Sequence, residues 1–375
     1  MKKLCVFPSD PIEEYLKKGE IKNRYYNPLD FFDEIHVINP SYKKVDVRSV
    51  QIMGGNARMI IHSIGKVSLT NMYFKKNKVL DIIRRIKPDL IRTYNPLVQG
   101  WLAFYCSKKL HLPYIVSLHG QYDKDIPNEY LKKKKYLKFL KLFLTKSITQ
   151  KLVISNANFV ICVYNHLISY AKENGAKNVE VVINQIDLEQ FNKNINPAIK
   201  KDKPIIMNVG VLRKIKNQEC LIHAIKNLEV YLVLIGDGEM YLELKNLTKK
   251  LGIENKVIFI KSVPHFQIQN YYASAKIFAI PSTAMGFPIT ALEALASRCI
   301  TVIAERLGRE SEPIDSAVVY VKNDPKNFEH VFNDILKNPK KYESYVETAQ
   351  EILKTIDKKT MEEKEISFYK QYCDF

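Results

Sequence analysis

No stretch of the sequence approaches eighteen consecutive apolar residues, which excludes a protein built on membrane-spanning helices. Glycine and proline are scarce, 13 and 16 in 375 residues, so collagen-like repeats and extended low-complexity disorder are excluded too. The six cysteines (Cys5, Cys106, Cys162, Cys220, Cys299, Cys373) form no CxxC pair and no Cys/His cluster, which argues against a zinc site and a disulfide scaffold. Cys5, Cys162 and Cys299 lie in or beside apolar runs and are expected as small buried residues of a reduced compartment. Acidic residues are outnumbered: 58 Lys and Arg against 40 Asp and Glu give a formal charge of +18. Such a surface attracts polyanions in general, whether nucleic acid, anionic lipid or phosphorylated substrate, although an AT-rich genome leaves the same lysine excess. No helix-turn-helix, RNP aromatic pair or zinc finger accompanies the charge, so nucleic acid is not an expected partner. The opening MKKLCVFPSDP holds too few apolar residues for a signal-peptide core. The expected location is cytoplasmic, or peripheral on the inner face of a membrane.

What is present is an alternation of short apolar runs with longer amphipathic stretches. Strands are expected at Leu4–Phe7, Glu34–Ile38, Gln51–Ile52, Met59–His62, Leu90–Thr93, Tyr114–Leu118, Phe159–Val163 and Val179–Ile183. The second half adds Ile205–Val209, Val230–Ile235, Val257–Ile260, Ile277–Ile280, Thr301–Ala304 and Val318–Val321. Nearly continuous apolar strands separated by helices indicate parallel sheets covered on both faces. The length suits two domains, and the polar stretch Asn192–Lys203 with Pro197 is the expected seam. The reading is an N-terminal domain over 1–192, a C-terminal domain over 193–355, and a helical segment 356–375 that packs back on the first domain.

Three clusters in the second half carry chemistry, and each is ordinary alone. Asn208-Val209-Gly210-Val211-Leu212-Arg213-Lys214-Ile215-Lys216-Asn217 follows a strand and precedes a helical pattern at Leu221–Leu228. A glycine turn with cations near a helix start suits a diphosphate. Val233-Leu234-Ile235-Gly236-Asp237-Gly238-Glu239 is a second strand entering a glycine turn. In Ile280-Pro281-Ser282-Thr283-Ala284-Met285-Gly286-Phe287-Pro288 a polar loop leads to Gly286-Phe287-Pro288, which opens a helix carrying Glu293 among Leu292, Ala294 and Leu295. A carboxylate buried there needs a partner. A ribose with two hydroxyls would serve, and so would a structural ion pair.

Taken in order, these clusters resemble glycosyltransferase family 4, joined by Phe259-x-x-x-Val263 and by Ala275-x-Ile277-Phe278-x-x-Pro281-Ser282. In the first half, Val182-Ile183-Asn184-Gln185-Ile186-Asp187 followed by Phe191 is similar to the family's interdomain segment, and Ser117-Leu118-His119-Gly120 to its histidine site after a strand. The resemblance implies a GT-B fold, two Rossmann-like doubly wound domains facing across a cleft, with the acceptor on the first and a nucleotide sugar on the second. It implies a retaining transferase that needs no metal and no further cofactor. Carried over, Lys216 binds the donor diphosphate, Glu293 its ribose, and His119 sits beside the donor sugar, these three forming the catalytic set. Gly210, Arg213, Gly236, Met285, Gly286, Phe287 and Pro288 complete the donor pocket, with Asn184 and Asp187 at the hinge. The sequence departs from the family at Met285, where the first of two glutamates is usual, and at Val211, where arginine is common. Arg298 and Ile300 replace a glycine and a proline, and Phe7-Pro8-Ser9-Asp10-Pro11 stands where a glycine-rich loop is usual. These departures keep two alternatives open: a catalytically silent sugar- or lipid-binding relative, and a GT-B epimerase acting on nucleotide sugars.

Other features are weaker. Asp123-Lys124-Asp125 matches a metal-chelating pattern of another glycosyltransferase fold, but a solvated turn explains it as well. Residues 132–151 hold eight lysines and no acidic side chain, with Leu137, Leu140, Phe143, Leu144 and Ile148 on one helical face. That helix suits an anionic membrane surface and lipid-linked saccharide acceptors, or is a solvated domain helix. Arg92-Thr93-Tyr94-Asn95-Pro96 and Tyr25-Tyr26-Asn27-Pro28 are candidate acceptor-side loops, although an aromatic loop packing on its own domain accounts for them better. His62, His166, His223 and His265 show no metal-ligand spacing and read as structural or surface residues.

Overall fold

The apolar runs become strands with side chains buried on both faces. In the computed structural model, which describes residues 1–122, 136–183, 186–192, 195–282, 288–305 and 312–373, they form two parallel sheets. The first sheet contains β1 Lys3–Phe7, β2 Glu34–Asn39, β3 Arg58–Ser63, β4 Leu90–Thr93, β5 Tyr114–Leu118, β6 Phe159–Cys162 and β7 Val179–Val181, in the order β3-β2-β1-β4-β5-β6-β7. The second contains β8 Ile205–Val209, β9 Tyr231–Ile235, β10 Val257–Ile260, β11 Ile277–Ile280, β12 Ile300–Ala304 and β13 Val319–Val321, in the order β10-β9-β8-β11-β12-β13. Both are the doubly wound order, in which successive crossovers move outward from one strand pair, β1–β4 in the first sheet and β8–β11 in the second.

The chain divides into one unit of Met1–Asn184 with Lys359–Phe375, and another of Gln185–Lys358. This division falls before the polar 192–203 stretch, and the packing shows why: Phe191 is buried in an edge-on contact with Tyr272, so the segment from Ile186 onward belongs with the second unit. Ile186 and Asp357 form an isolated parallel bridge, and the Lys358 N–H donates to the Ile186 carbonyl at 3.0 Å. The two segments where the chain changes unit are thereby tied side by side.

In the first unit one sheet face buries Val79, Ile83, Leu102, Val153 and Leu167. The other buries Tyr26, Phe32 and, from the terminal helix Lys358–Cys373, Met361, Ile366 and Phe368. Phe368 stacks on Phe159 with ring centroids 4.3 Å apart. In the second unit Leu221, Leu244, Phe328 and Phe332 pack against the sheet. All six cysteines are buried free thiols.

One expected strand is absent. Gln51–Ile52 lies in a 3-10 turn, Gln51–Gly54, which buries Met53 and leads to Gly55 at φ 60°. The Gln51 amide closes this turn by donating to the Ala57 carbonyl at 2.7 Å, so no extended run is left to pair. The helix after β8 runs from Gln218 to Ala224, starting earlier than the Leu221–Leu228 pattern. Within 132–151 there is a helix Tyr136–Phe143 followed by a π-helical turn Leu144–Thr149. Lys132 to Lys135 lie outside the described residues. His62 is no isolated surface group: its ring stacks on that of His36, with facing nitrogens 3.0 Å apart.

Candidate active site

In the second unit the chemistry-bearing residues collect at the C-terminal ends of β8, β9 and β11, beside the switch point. The loops after β8 and β9 are joined backbone to backbone. The Gly210 N–H donates to the Ile235 carbonyl at 2.9 Å, that of Leu212 to Asp237 at 3.0 Å, and that of Met240 to Leu212 at 3.1 Å. This contact requires glycine. A Cβ at Gly236 would lie 2.0 Å from the Gly210 carbonyl oxygen, and one at Gly238 2.3 Å from that of Leu212. The loop then forms a 3-10 turn, Lys214–Lys216, and passes through Asn217 in the left-handed region at φ 54°. Buried Gln218 donates to the Val211 carbonyl at 3.3 Å, and buried Asn208 donates to the Ala279 carbonyl at 2.8 Å. Ser282, just past β11, donates its hydroxyl to the Ile215 carbonyl at 3.3 Å, which ties the two sides of the switch point. Arg213 and Lys214 are exposed and Lys216 half-buried, so cationic side chains line a rigid turn.

Glu293 stands on the helix Ile289–Ala296, which opens after Pro288, and is 4 % exposed. The apolar run predicts burial, and two groups from the segment before β11 make it tolerable. The Tyr272 hydroxyl donates to one carboxylate oxygen at 2.8 Å, and His265 Nε2 lies 3.2 Å from the other. Burial, and after it the Glu293 charge, push the Tyr272 phenol far above its ordinary pKa and keep it a donor. Each carboxylate oxygen retains a lone pair, so the group is oriented and still able to accept from a hydroxyl.

In the first unit His119 follows β5. Its ring stacks on Tyr94 with centroids 6.3 Å apart and planes 22° apart, and its backbone N–H donates to the Tyr122 hydroxyl at 3.4 Å. Desolvation by the surrounding protein, and second the Arg92 cation, lower its pKa to about 4. The residue as a whole is exposed, which weakens the first cause and leaves the direction unchanged. At neutral pH His119 is therefore a neutral imidazole, one donor and one acceptor.

Two family models match the chain, Glycosyltransferase Family 4 over residues 33–190 and Glycosyl transferases group 1 over 189–352. The chain belongs to the family 4 glycosyltransferases. It is 25% identical over 334 residues to an uncharacterized glycosyltransferase of Methanocaldococcus jannaschii, covering 86% of this chain and 85% of that one. Over 48% of this chain and 51% of the relative it is 31% identical to the N-acetylgalactosamine-N,N'-diacetylbacillosaminyl-diphospho-undecaprenol 4-alpha-N-acetylgalactosaminyltransferase of Campylobacter jejuni. The crystal structure of HepE from Anabaena in complex with UDP and glucose shares the fold, with a TM-score of 0.74 and 16% identity over 99% of this chain and all of that one. The GT-B architecture is thus established, and the protein is a sugar transferase.

The structure of this glycosyltransferase brings Gly210, Arg213, Lys216 and Gly236 into one loop pair and places Pro288 at the start of the Glu293 helix. Met285, Gly286, Phe287 and Asn184, like Asp123-Lys124-Asp125, lie outside the described residues. Asp187 sits beside the Ile186–Asp357 bridge and accepts from the Gln190 N–H at 3.3 Å. Among the described residues no three His, Cys, Asp or Glu side chains converge as a metal site. His265 was read only as a structural or surface residue and Tyr272 was not singled out, because nothing local marks a residue that reaches Glu293 from another element. A Gly236→Ala substitution is expected to force the two loops apart. It should lower stability by about 1–3 kcal/mol in denaturant unfolding and weaken nucleoside diphosphate binding at least tenfold by calorimetry.

Proposed function

We propose that this protein transfers a sugar, with retention at the anomeric carbon, from a nucleoside diphosphate sugar to a saccharide or lipid-linked acceptor in polysaccharide or glycolipid assembly. The observation that carries this reading is the glycine-dependent joining of the β8 and β9 loops, which presents Arg213, Lys214 and Lys216 in a fixed arrangement beside the switch point. Breaking the sugar–phosphate bond leaves charge on the departing diphosphate, and preorganised cations and backbone N–H groups stabilise that charge. Glu293, oriented by Tyr272 and His265, accepts from the ribose hydroxyls. Neutral His119 hydrogen-bonds the donor sugar. This division of labour asks for no metal and no further cofactor. HepE was crystallised with UDP and glucose, and the Campylobacter relative's name puts its acceptor on diphospho-undecaprenol, which support a nucleotide-sugar donor and a lipid-linked acceptor here.

The acceptor reading extends to membrane docking. No helix among the described residues is long and apolar enough to cross a membrane. In the helix Tyr136–Phe143 and the turn after it, however, Leu137 is 86% exposed, and Leu140, Phe143 and Ile148 are exposed as well. An apolar face in a segment with eight lysines matches an anionic lipid surface by both hydrophobic and charge complementarity.

Two measurements test these statements. In a thermal-shift screen of UDP, GDP, ADP and CDP, one nucleotide should raise the melting temperature, since ligand at 100 times its Kd adds about 2.7 kcal/mol. The shift should vanish in Lys216→Ala/Glu293→Ala, and no shift with any nucleotide would favour a silent binder. For docking, co-sedimentation with phosphatidylglycerol vesicles should fall at least tenfold in Leu137→Asp/Leu140→Asp. Undiminished sedimentation would remove the membrane reading.

A further inference from the structure

Arg92 is an unusual residue for its position. It lies on β4 between the two halves of the first sheet, 5% exposed, where the strand pattern calls for an apolar side chain. Its charge is met by Glu365 of the terminal helix, and Tyr369, one turn further along, accepts from Arg92 and donates to Glu365. These partners lie 277 residues from Arg92 in the case of Tyr369, so the chain end closes this site. Anchoring the terminal helix does not explain the ion pair. Met361, Ile366, Phe368 and Cys373 already bury that helix against the sheet, and a buried pair of this kind is commonly replaceable by apolar residues without loss of stability.

The other contacts of Arg92 all lead toward His119. The guanidinium carbon sits 4.5 Å from the centroid of the Tyr94 ring, whose stacked neighbour is the His119 imidazole. Arg92 Nη2 also donates to the Ser117 hydroxyl at 3.2 Å, on the strand just before His119. Tyr94 is fixed in turn, since its hydroxyl donates to the Tyr25 carbonyl at 3.1 Å, its carbonyl accepts from the Ser9 hydroxyl at 2.7 Å, and its ring stacks on Tyr25 at 5.4 Å. We propose that Arg92 is the positioning residue for His119, and that the terminal helix, through Glu365 and Tyr369, sets where Arg92 stands. The role rests on the assignment of His119 to the reacting sugar. Arg92 acts through the strand, by Ser117, and through the stack, by Tyr94, and its cation disfavours imidazolium at His119. Among the described residues, Arg92 from β4 bears on the imidazole by its charge and Tyr94 by its stacked ring, with Tyr25 stacked behind Tyr94, while Tyr122 after its own strand meets the His119 backbone N–H. Glu365 and Tyr369 stand behind Arg92 on the terminal helix.

The test is a nuclear magnetic resonance titration of the His119 ring in the full-length protein, its signal assigned by its loss in His119→Asn. Arg92→Met/Glu365→Met removes both charges together and strands neither, so it is expected to fold. Its His119 midpoint should rise by about one pH unit. Glu365→Gln leaves the Arg92 cation without its counter-charge, and there the midpoint should stay low or fall. Turnover is read as hydrolysis of the nucleotide sugar whose nucleotide gives a thermal shift. In the double variant it should drop about tenfold with the donor KM unchanged, because the residues assigned to the nucleotide belong to the second unit. A double variant that melts like the wild type and keeps both the wild-type midpoint and the wild-type turnover overturns the proposal. If His119→Ala itself hydrolyses donor at the wild-type rate, the assignment of His119 to the reaction fails, and the titration alone then decides whether Arg92 positions it.

Discussion

The Gly210 carbonyl oxygen occupies the space that a side-chain carbon at 236 would need, and much of the second unit's site depends on that approach. With glycine at 236 and 238 the loops after β8 and β9 share hydrogen bonds as if the strands continued past their ends. The β8 loop can then turn sharply, expose its cations and receive Ser282 from across the switch point. The doubly wound order supplies the place, because crossovers leaving β8 and β11 in opposite directions free the strand ends between them. The glycines supply the rigidity that makes the place useful for binding a diphosphate.

Polar groups in both units are held by partners from distant segments. Glu293 is buried at a cost that Tyr272 and His265 offset, and Arg92 at one that Glu365 and Tyr369 offset. Each arrangement fixes a charged group against a surrounding low-dielectric core and leaves a neighbouring group addressable, the Glu293 lone pairs in one case and the His119 imidazole in the other.

Much of the framework was legible from local pattern. Tyr114–Leu118, Ile205–Val209, Val257–Ile260 and Ile277–Ile280 begin and end where their apolar runs do, because buried parallel strands need apolar side chains on both faces. Gln51–Ile52 misled because two β-compatible residues before Gly54-Gly55 carry no period, and the Gln51 amide closed a turn instead. The glycine turns after the strands were visible in the local pattern, and Lys216 was singled out by the family resemblance. What could not be read was pairing at long range: nothing near Glu293 names Tyr272 or His265, and nothing near Arg92 names Glu365. Tyr94 and Tyr25 were noticed as polar aromatic loops, yet their stacking with one another and with His119 exists only once β1, β4 and β5 are side by side.

The central claim is that a nucleoside diphosphate binds at the β8–β11 switch point through the joined glycine loops and the Glu293 helix. Hydrogen–deuterium exchange with and without saturating UDP or GDP tests this most directly, because it locates binding without any knowledge of the acceptor. The account predicts slowed exchange in the peptides covering 208–218 and 289–296, with the β1–β3 peptides unchanged. Protection confined to peptides outside the second unit, from either nucleotide, would contradict it.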